Sequence, residues 1–283
     1  MPEIAMIAIR TMTTADIPLG MRLKEQAGWN QTEADWQRFL HLEPDGCFVV
    51  ERGGTAVGTV ATCVFDAVAW VAMVLVDAPL RHQGLGTRLV RNALEYLDGR
   101  GVRTVRLDAT HLGRPIYEAF GFRTQYELTR WEGTASAAAS EPRVERAPPE
   151  MLDAIVALDR QVSGNDRRRF LSRLWHEAGG FWVAREGETL LGYMGVRRGS
   201  RAMQIGPGAA LSPKAGWALG GAALIACAGK GVHVDVPTQN HAATAWARSA
   251  GLVAQRNFTR MVRGEPISDQ PDRLWASSGP ELG

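Results

Sequence analysis

The residues best placed to do chemistry lie in two stretches of the first half of the chain. Arg81-His82-Gln83-Gly84-Leu85-Gly86 follows an apolar run ending at Val76. It precedes a segment whose apolar residues Leu89, Val90, Ala93, Leu94 and Leu97 fall on one helical face. Two glycines at a helix start let backbone N–H groups approach a ligand with no Cβ in the way. The helix N-terminus adds the positive end of its dipole, so the turn reads as an anion cradle, with Arg81 as a mobile cation. The spacing is neither that of a Walker A loop nor that of a dinucleotide fingerprint. Taken alone, the same residues also suit an ordinary glycine-containing strand-to-helix turn. The second stretch, Leu107–Phe122 (LDATHLGRPIYEAFGF), reads as a strand end, a short helix and Phe120-Gly121-Phe122. It carries Asp108, Thr110, His111 and Tyr117.

The elements that must position these residues follow from length and periodicity. The 283 residues suit two domains, and 45% hydrophobic with 22% charged residues is the balance of a globular protein. A net charge of +2 gives no reason to expect nucleic acid or an anionic membrane as partner. Cys47, Cys63 and Cys227 show neither disulfide nor zinc spacing, so no metal is expected and a reducing, cytoplasmic setting is. The N-terminal residues lack the apolar stretch of a signal peptide, and the longest apolar run, Ala67–Val76, is too short to span a bilayer.

An internal repeat sets the organisation. VVERGGTAVG (Val49–Gly58) aligns with VAREGETLLG (Val183–Gly192), and GFRTQYELTR (Gly121–Arg130) aligns with GLVAQRNFTR (Gly251–Arg260). Gln125/Gln255, Thr129/Thr259 and Arg130/Arg260 recur in register. A repeat of this length is a duplicated domain. The expected boundaries are a first domain over 1–133, a linker over 134–142, a second domain over 143–264 and an irregular tail over 265–283, in which Leu274 and Trp275 could dock on a domain surface. Each copy reads β-α-α-β-β-β-α-β-α-β. In the first, Asp16 is expected to cap the first helix, Thr32 with Asp35 to open the second, and Gly86–Leu97 to form the third.

Together, the RxxGxG turn and the Tyr117…Gly121-Phe122 pattern resemble the GNAT acetyltransferase superfamily, over all of the first copy and in topology over the second. The resemblance implies an α/β (α+β) fold: two tandem GNAT-like domains, each with a mixed, mostly antiparallel central sheet flanked by helices. It implies an acetyl-CoA-dependent N-acetyltransferase acting on a small-molecule or peptide amine, as monomer or homodimer. Arg81, His82, Gln83, Gly84, Leu85, Gly86 and Thr87 would hold the pyrophosphate. Leu75 and Val76 would pair with the pantetheine arm as a strand does, and Thr110, standing where many members have Asn, could hydrogen-bond that arm. Tyr117 would protonate the departing thiolate. Asp108 could take the acceptor's proton, or it could cap the loop that follows. The second copy keeps Asn240 but has Pro213 and Lys214 in place of the cradle and Ala247 in place of the tyrosine, so it is expected not to catalyse. Its run Asp166-Arg167-Arg168-Arg169 is expected to be a solvated helix face. The alternative to an enzyme is a non-catalytic acyl-CoA sensor or scaffold.

Overall fold

The computed structural model describes residues 6–135, 144–177 and 179–283. The chain forms two compact units that divide between Arg106 and Leu107. The first unit contains β1 (Ile7–Thr11), α1 (Ile17–Gln26), α2 (Glu33–Leu42), β2 (Cys47–Arg52), β3 (Thr55–Phe65), β4 (Val68–Val76) and α3 (Leu85–Gly99). It ends within β5 (Thr104–Ala109), whose last three residues belong to the second unit. Its sheet order is β1-β2-β3-β4-β5, antiparallel except for the parallel β4–β5 pair. β4 is apolar almost throughout because both α1 and α3 pack against it. The β4–β5 ladder covers Val68↔Thr104, Ala69↔Val105 and Trp70↔Arg106. Beyond Trp70, no described strand pairs with that edge of β4.

Local signals explain the helix starts, with one correction. The Thr32 N–H and hydroxyl both donate to Asp35, at 2.7 and 2.8 Å, as the spacing suggests. Asp16 does not cap α1. It accepts instead from the Thr13 N–H and hydroxyl, so Thr13 opens a single 3-10 turn that runs into α1.

The second unit contains α4 (Arg114–Glu118), β6 (Arg123–Thr134), β7 (Val144–Arg146), α5 (Leu152–Ser163), α6 (Arg168–Glu177), β8 (Gly180–Glu186) and β9 (Thr189–Arg197). It continues through β10 (Met203–Ala210), α7 (Pro213–Ala226), β11 (Gly231–Pro237), α8 (His241–Ser249), β12 (Val253–Gly264) and β13 (Leu274–Ala276). Its strand order is β5-β12-β6-β11-β10-β9-β8-β7, with β13 added on β10. A core of Leu219, Ala223, Val234, Trp246 and Trp275 lies beneath α7 and α8. Apart from β13, each copy shows the element order that periodicity gives.

The compact units do not follow the repeat, and strand pairing is the reason. β6 closes the first copy, yet it pairs along its length with β11 and β12 of the second, with Trp131 opposite Val234 and Leu128 opposite Phe258. β12 closes the second copy and lies beside β5 of the first. Each copy has thus given its last strand to the place the other's would fill. Of the expected linker, Thr134 ends β6, Ala135 is buried with its N–H donating to the Lys230 carbonyl, and 136–142 lie outside the described residues.

The tail is not simply irregular. Its Leu274–Ala276 forms β13, and Ser277, Ser278, Glu281 and Leu282 are also buried. Its short length and lack of alternation hide it from a periodicity reading. The basic run is corrected too: Arg167 is buried, in a bidentate pair with Asp159 at 2.6 and 3.0 Å.

Candidate functional site

In the first unit the chain leaves β4 through a short turn before entering α3. Leu75 is buried and Val76 half-buried at the strand's end. Gln26 of α1 pins the start of the turn: its side-chain amide donates to Asp77 (2.9 Å) and accepts from the Ala78 N–H (2.9 Å). Arg22 donates to Asp77 at 2.6 Å, which holds that carboxyl below its ordinary range. Arg81 turns back to donate to the Val76 carbonyl at 3.1 Å, and Arg52 donates to the Gln83 amide oxygen at 2.7 Å. Sequence reasoning missed Arg22, Gln26 and Arg52, which lie far away in the chain and carry no local pattern.

The turn itself has the features of a cradle. Gly84 has φ +78°, a left-handed conformation that favours glycine. Gly86 is different, because a Cβ there would meet only Val76 Cγ2, at 3.9 Å. The folded chain by itself does not require glycine at 86. No described residue accepts a hydrogen bond from the N–H groups of Leu85, Gly86 or Thr87. These are the donors a helix N-terminus leaves over. His82 and Arg88 stand exposed around them.

The second stretch lies in the other unit. Tyr117 sits on α4, half-buried, with its ring edge-on to Phe122 at 6.0 Å. No described residue hydrogen-bonds its hydroxyl. Burial pushes its pKa up to about 12, so the phenol keeps its proton at neutral pH. The Thr110 hydroxyl accepts from the Gly113 N–H at 3.2 Å and so builds the turn into α4, and His111 is exposed.

Asp108 takes neither of its expected parts. Both its oxygens accept from Arg260, each at 2.8 Å, and the two side chains are 1% and 2% exposed. It does not cap the loop, and a carboxylate so enclosed and paired is poorly placed to take a proton from an entering amine. Arg260 also donates to the Tyr126 hydroxyl at 3.0 Å, which in turn donates to Asp269 at 2.7 Å. The second copy has the mirror arrangement: Arg130 pairs with Asp235 through two bonds of 2.7 Å. For both arginines burial opposes the charge, the facing aspartate outweighs it, and the pKa lies above the ordinary value. The repeated Arg130 and Arg260 were visible in the sequence, and the partner acids near the ends of VRTVRLD and VHVDV were there to be matched to them.

Among the described residues, the second copy has no comparable glycine turn before α7. Ser212 caps α7 by accepting from the Ala215 N–H at 3.3 Å. Gly216, one turn further on, is covered by the Trp275 ring so closely that a Cβ there would overlap it. Asn240 caps α8 through the Ala243 N–H, and Ala247 is fully buried.

Two family descriptions fit this chain: the acetyltransferase (GNAT) family over residues 17–122 and an acetyltransferase (GNAT) domain over 155–276. The chain belongs to the GNAT acetyltransferases and carries the fold twice. The holothin acyltransferase of Pseudoalteromonas sp. (strain SANK 73390) is 25% identical over 260 residues, covering 90% of this chain and 87% of that protein. In fold the chain is similar to an acetyltransferase candidate from Pyrococcus horikoshii, with a TM-score of 0.86, 24% identity and coverage of 98% and 96% of the two chains. It also resembles a tandem GNAT protein from the clavulanic acid biosynthesis pathway, with a TM-score of 0.67, 15% identity and coverage of 93% and 100%. Among the described residues, no helix is long and apolar enough to cross a membrane.

Proposed function

We propose that this acyltransferase moves an acetyl group from acetyl-CoA to an amine, using the first copy. The observation that carries the reading is the glycine turn before α3, with three undirected N–H groups, a dipole end and exposed cations. Arg81, His82, Gln83, Gly84, Leu85, Gly86 and Thr87 would hold the pyrophosphate, and the unpaired edge of β4 at Leu75 and Val76 would hydrogen-bond the pantetheine arm.

The chemistry is direct attack. The neutral amine adds to the thioester carbonyl, the C–S bond breaks, the amine's surplus proton leaves, and sulfur ends as a thiol. Tyr117 would donate to sulfur as that bond breaks. A thiol titrates near ~8.5, so a phenol at about 12 does not surrender its proton outright. It shares the proton in a hydrogen bond and passes it on only as another arrives from the amine or water. Asp108 has no part in this scheme; the incoming amine loses its proton to solvent.

The test is thiol release from acetyl-CoA with a panel of amines. Holothin, named for the 25%-identical relative, belongs in that panel. Release that depends on an amine supports transfer. Binding of acetyl-CoA without release by any amine would leave the sensor reading in its place. The three cysteines, free and buried, suit a reducing cytoplasm.

A further inference from the structure

The last residues of the chain lie in a gap of the second copy's sheet. β10 and β11 run parallel through Met203↔Val232, Gln204↔His233 and Ile205↔Val234, and there their ladder ends. This is the counterpart of the point where β4 loses its parallel partner in the first copy. β13 fills the space beyond. It runs antiparallel to β10, with Gly208 opposite Ala276 and Ala209 opposite Leu274, and the Ala210 N–H donates to the Arg273 carbonyl at 3.0 Å. On its other side, the Ser277 N–H donates to the Asp235 carbonyl of β11 at 2.8 Å. The tail thus bridges two strands that no longer reach one another.

Side chains hold it at both ends. The Asn240 amide donates to the Leu274 carbonyl at 3.0 Å. Trp275 lies over Gly216 in the first turn of α7, and only a residue without a Cβ leaves room for it there. Further on, Arg167 donates to the Leu282 carbonyl at 3.0 Å, and Arg197 donates to the Ser278 carbonyl at 3.0 Å and pairs with the Glu281 carboxylate. Arg167, Arg197 and Arg260, which meet the tail (the last through Ser277), are buried. The start of the tail, by contrast, has Glu265, Pro266 and Ser268 exposed.

We propose that the second copy is a binding site for an extended peptide, and that its occupant is the chain's own segment Leu274–Ser277, with the turn that follows it to Leu282 held beside it. The segment pairs with β10 and β11 by main-chain hydrogen bonds and is anchored by Trp275 over α7. This is strand addition, with the main chain supplying affinity and the aromatic pocket supplying selectivity. The further statement that the peptide stands where an acyl-CoA arm would lie rests on the first-copy reading above. It accounts for the second copy's lost cradle: a cleft filled from within needs no phosphate site.

The test keeps the full chain and cuts it only after folding. A protease site is placed between Glu265 and Pro266, the protein is folded and cleaved, and a labelled synthetic peptide of residues 266–283 is added. The cleaved tail is expected to stay bound and to exchange with the labelled peptide while the rest remains folded. Amide exchange at Ala210 is expected to be slow with the site filled. A peptide carrying Trp275→Ala is expected to compete at least ~100-fold less well, given the size of the buried ring it loses. Immediate loss of the tail with no change at Ala210, equal competition by both peptides, or exchange only through unfolding of the whole chain would each overturn the proposal. Acetyl-CoA binding by the uncut chain is measured alongside. Its absence would remove the first-copy reading and leave the peptide result standing.

Discussion

Asp108→Asn separates a structural acid from a catalytic one. In the folded chain Asp108 and Arg260 have side chains 1% and 2% exposed and share two hydrogen bonds of 2.8 Å. The substitution keeps the shape, removes the charge and replaces one acceptor with a donor aimed at a guanidinium. Removing one member of such a buried pair costs about 3–5 kcal/mol, because the remaining charge has no counterpart. For a unit of this size that lowers the melting temperature by roughly 6–20 °C. Arg260→Met alone also loses the bond to Tyr126, which adds about 1 kcal/mol. Asp108→Leu with Arg260→Met removes both charges together and should recover most of the stability, since a buried pair exchanged for apolar residues is often close to neutral. Urea unfolding of Asp108→Leu, of Arg260→Met and of the double gives the coupling energy. Turnover per folded molecule of Asp108→Asn should stay within a few-fold of the parent. A loss of stability under ~1 kcal/mol with turnover abolished would refute the reasoning and restore Asp108 as a base.

Gly86→Val should melt as the parent does, its Cβ meeting little, yet bind acetyl-CoA at least ~100-fold more weakly by calorimetry. Gly84→Val should instead lose stability, about 1–3 kcal/mol, from its left-handed backbone. Tyr117→Phe should leave the melting temperature unchanged, as no described residue bonds the hydroxyl, while kcat falls by roughly 10²–10⁴; full turnover at saturating substrate would remove Tyr117 from the reaction. Acetyl-CoA should bind once per chain, and a measured ratio of two would show the second copy to be competent. His233 is held below its ordinary pKa by burial and then by Arg130, with Asp235 and Glu132 opposing. The unfolded chain therefore binds its proton first, so this contribution to stability is full above about pH 6.5 and is lost as pH falls below it. His233→Gln should flatten that part of the urea-midpoint profile.

What the sequence made legible was local. The apolar face of α3, the capping pair Thr32 and Asp35, and the glycine turn after β4 each depend on neighbours within a few residues. The element order of both copies followed from periods of 2 and 3.6 and from the repeat. What was hidden depends on partners far off. Asp108 and Arg260 are 152 residues apart, and nothing near Asp108 distinguishes an ion-paired acid from a cap or a base. The exchange of β6 and β12 was hidden for the same reason: a strand's pattern shows which face is buried and not which strand lies beside it. Three residues of β13 are too few to show a period, and Arg167 looked like a surface cation because the two arginines that follow it, Arg168 and Arg169, are exposed.

The exchanged strands also bear on what a single repeat would be. Arg130 of the first copy holds Asp235 of the second, and Arg260 of the second holds Asp108 of the first. Residue i of one half meets residue j of the other, and j meets i, which is the signature of an isologous two-fold contact. A polypeptide with only one repeat could make the same contacts by swapping its final strand with a second molecule of itself. Fusion of two such genes would turn that intermolecular symmetry into an internal one. With the contact made permanent, one half could lose its chemistry while its strand and its arginine were still required by the other.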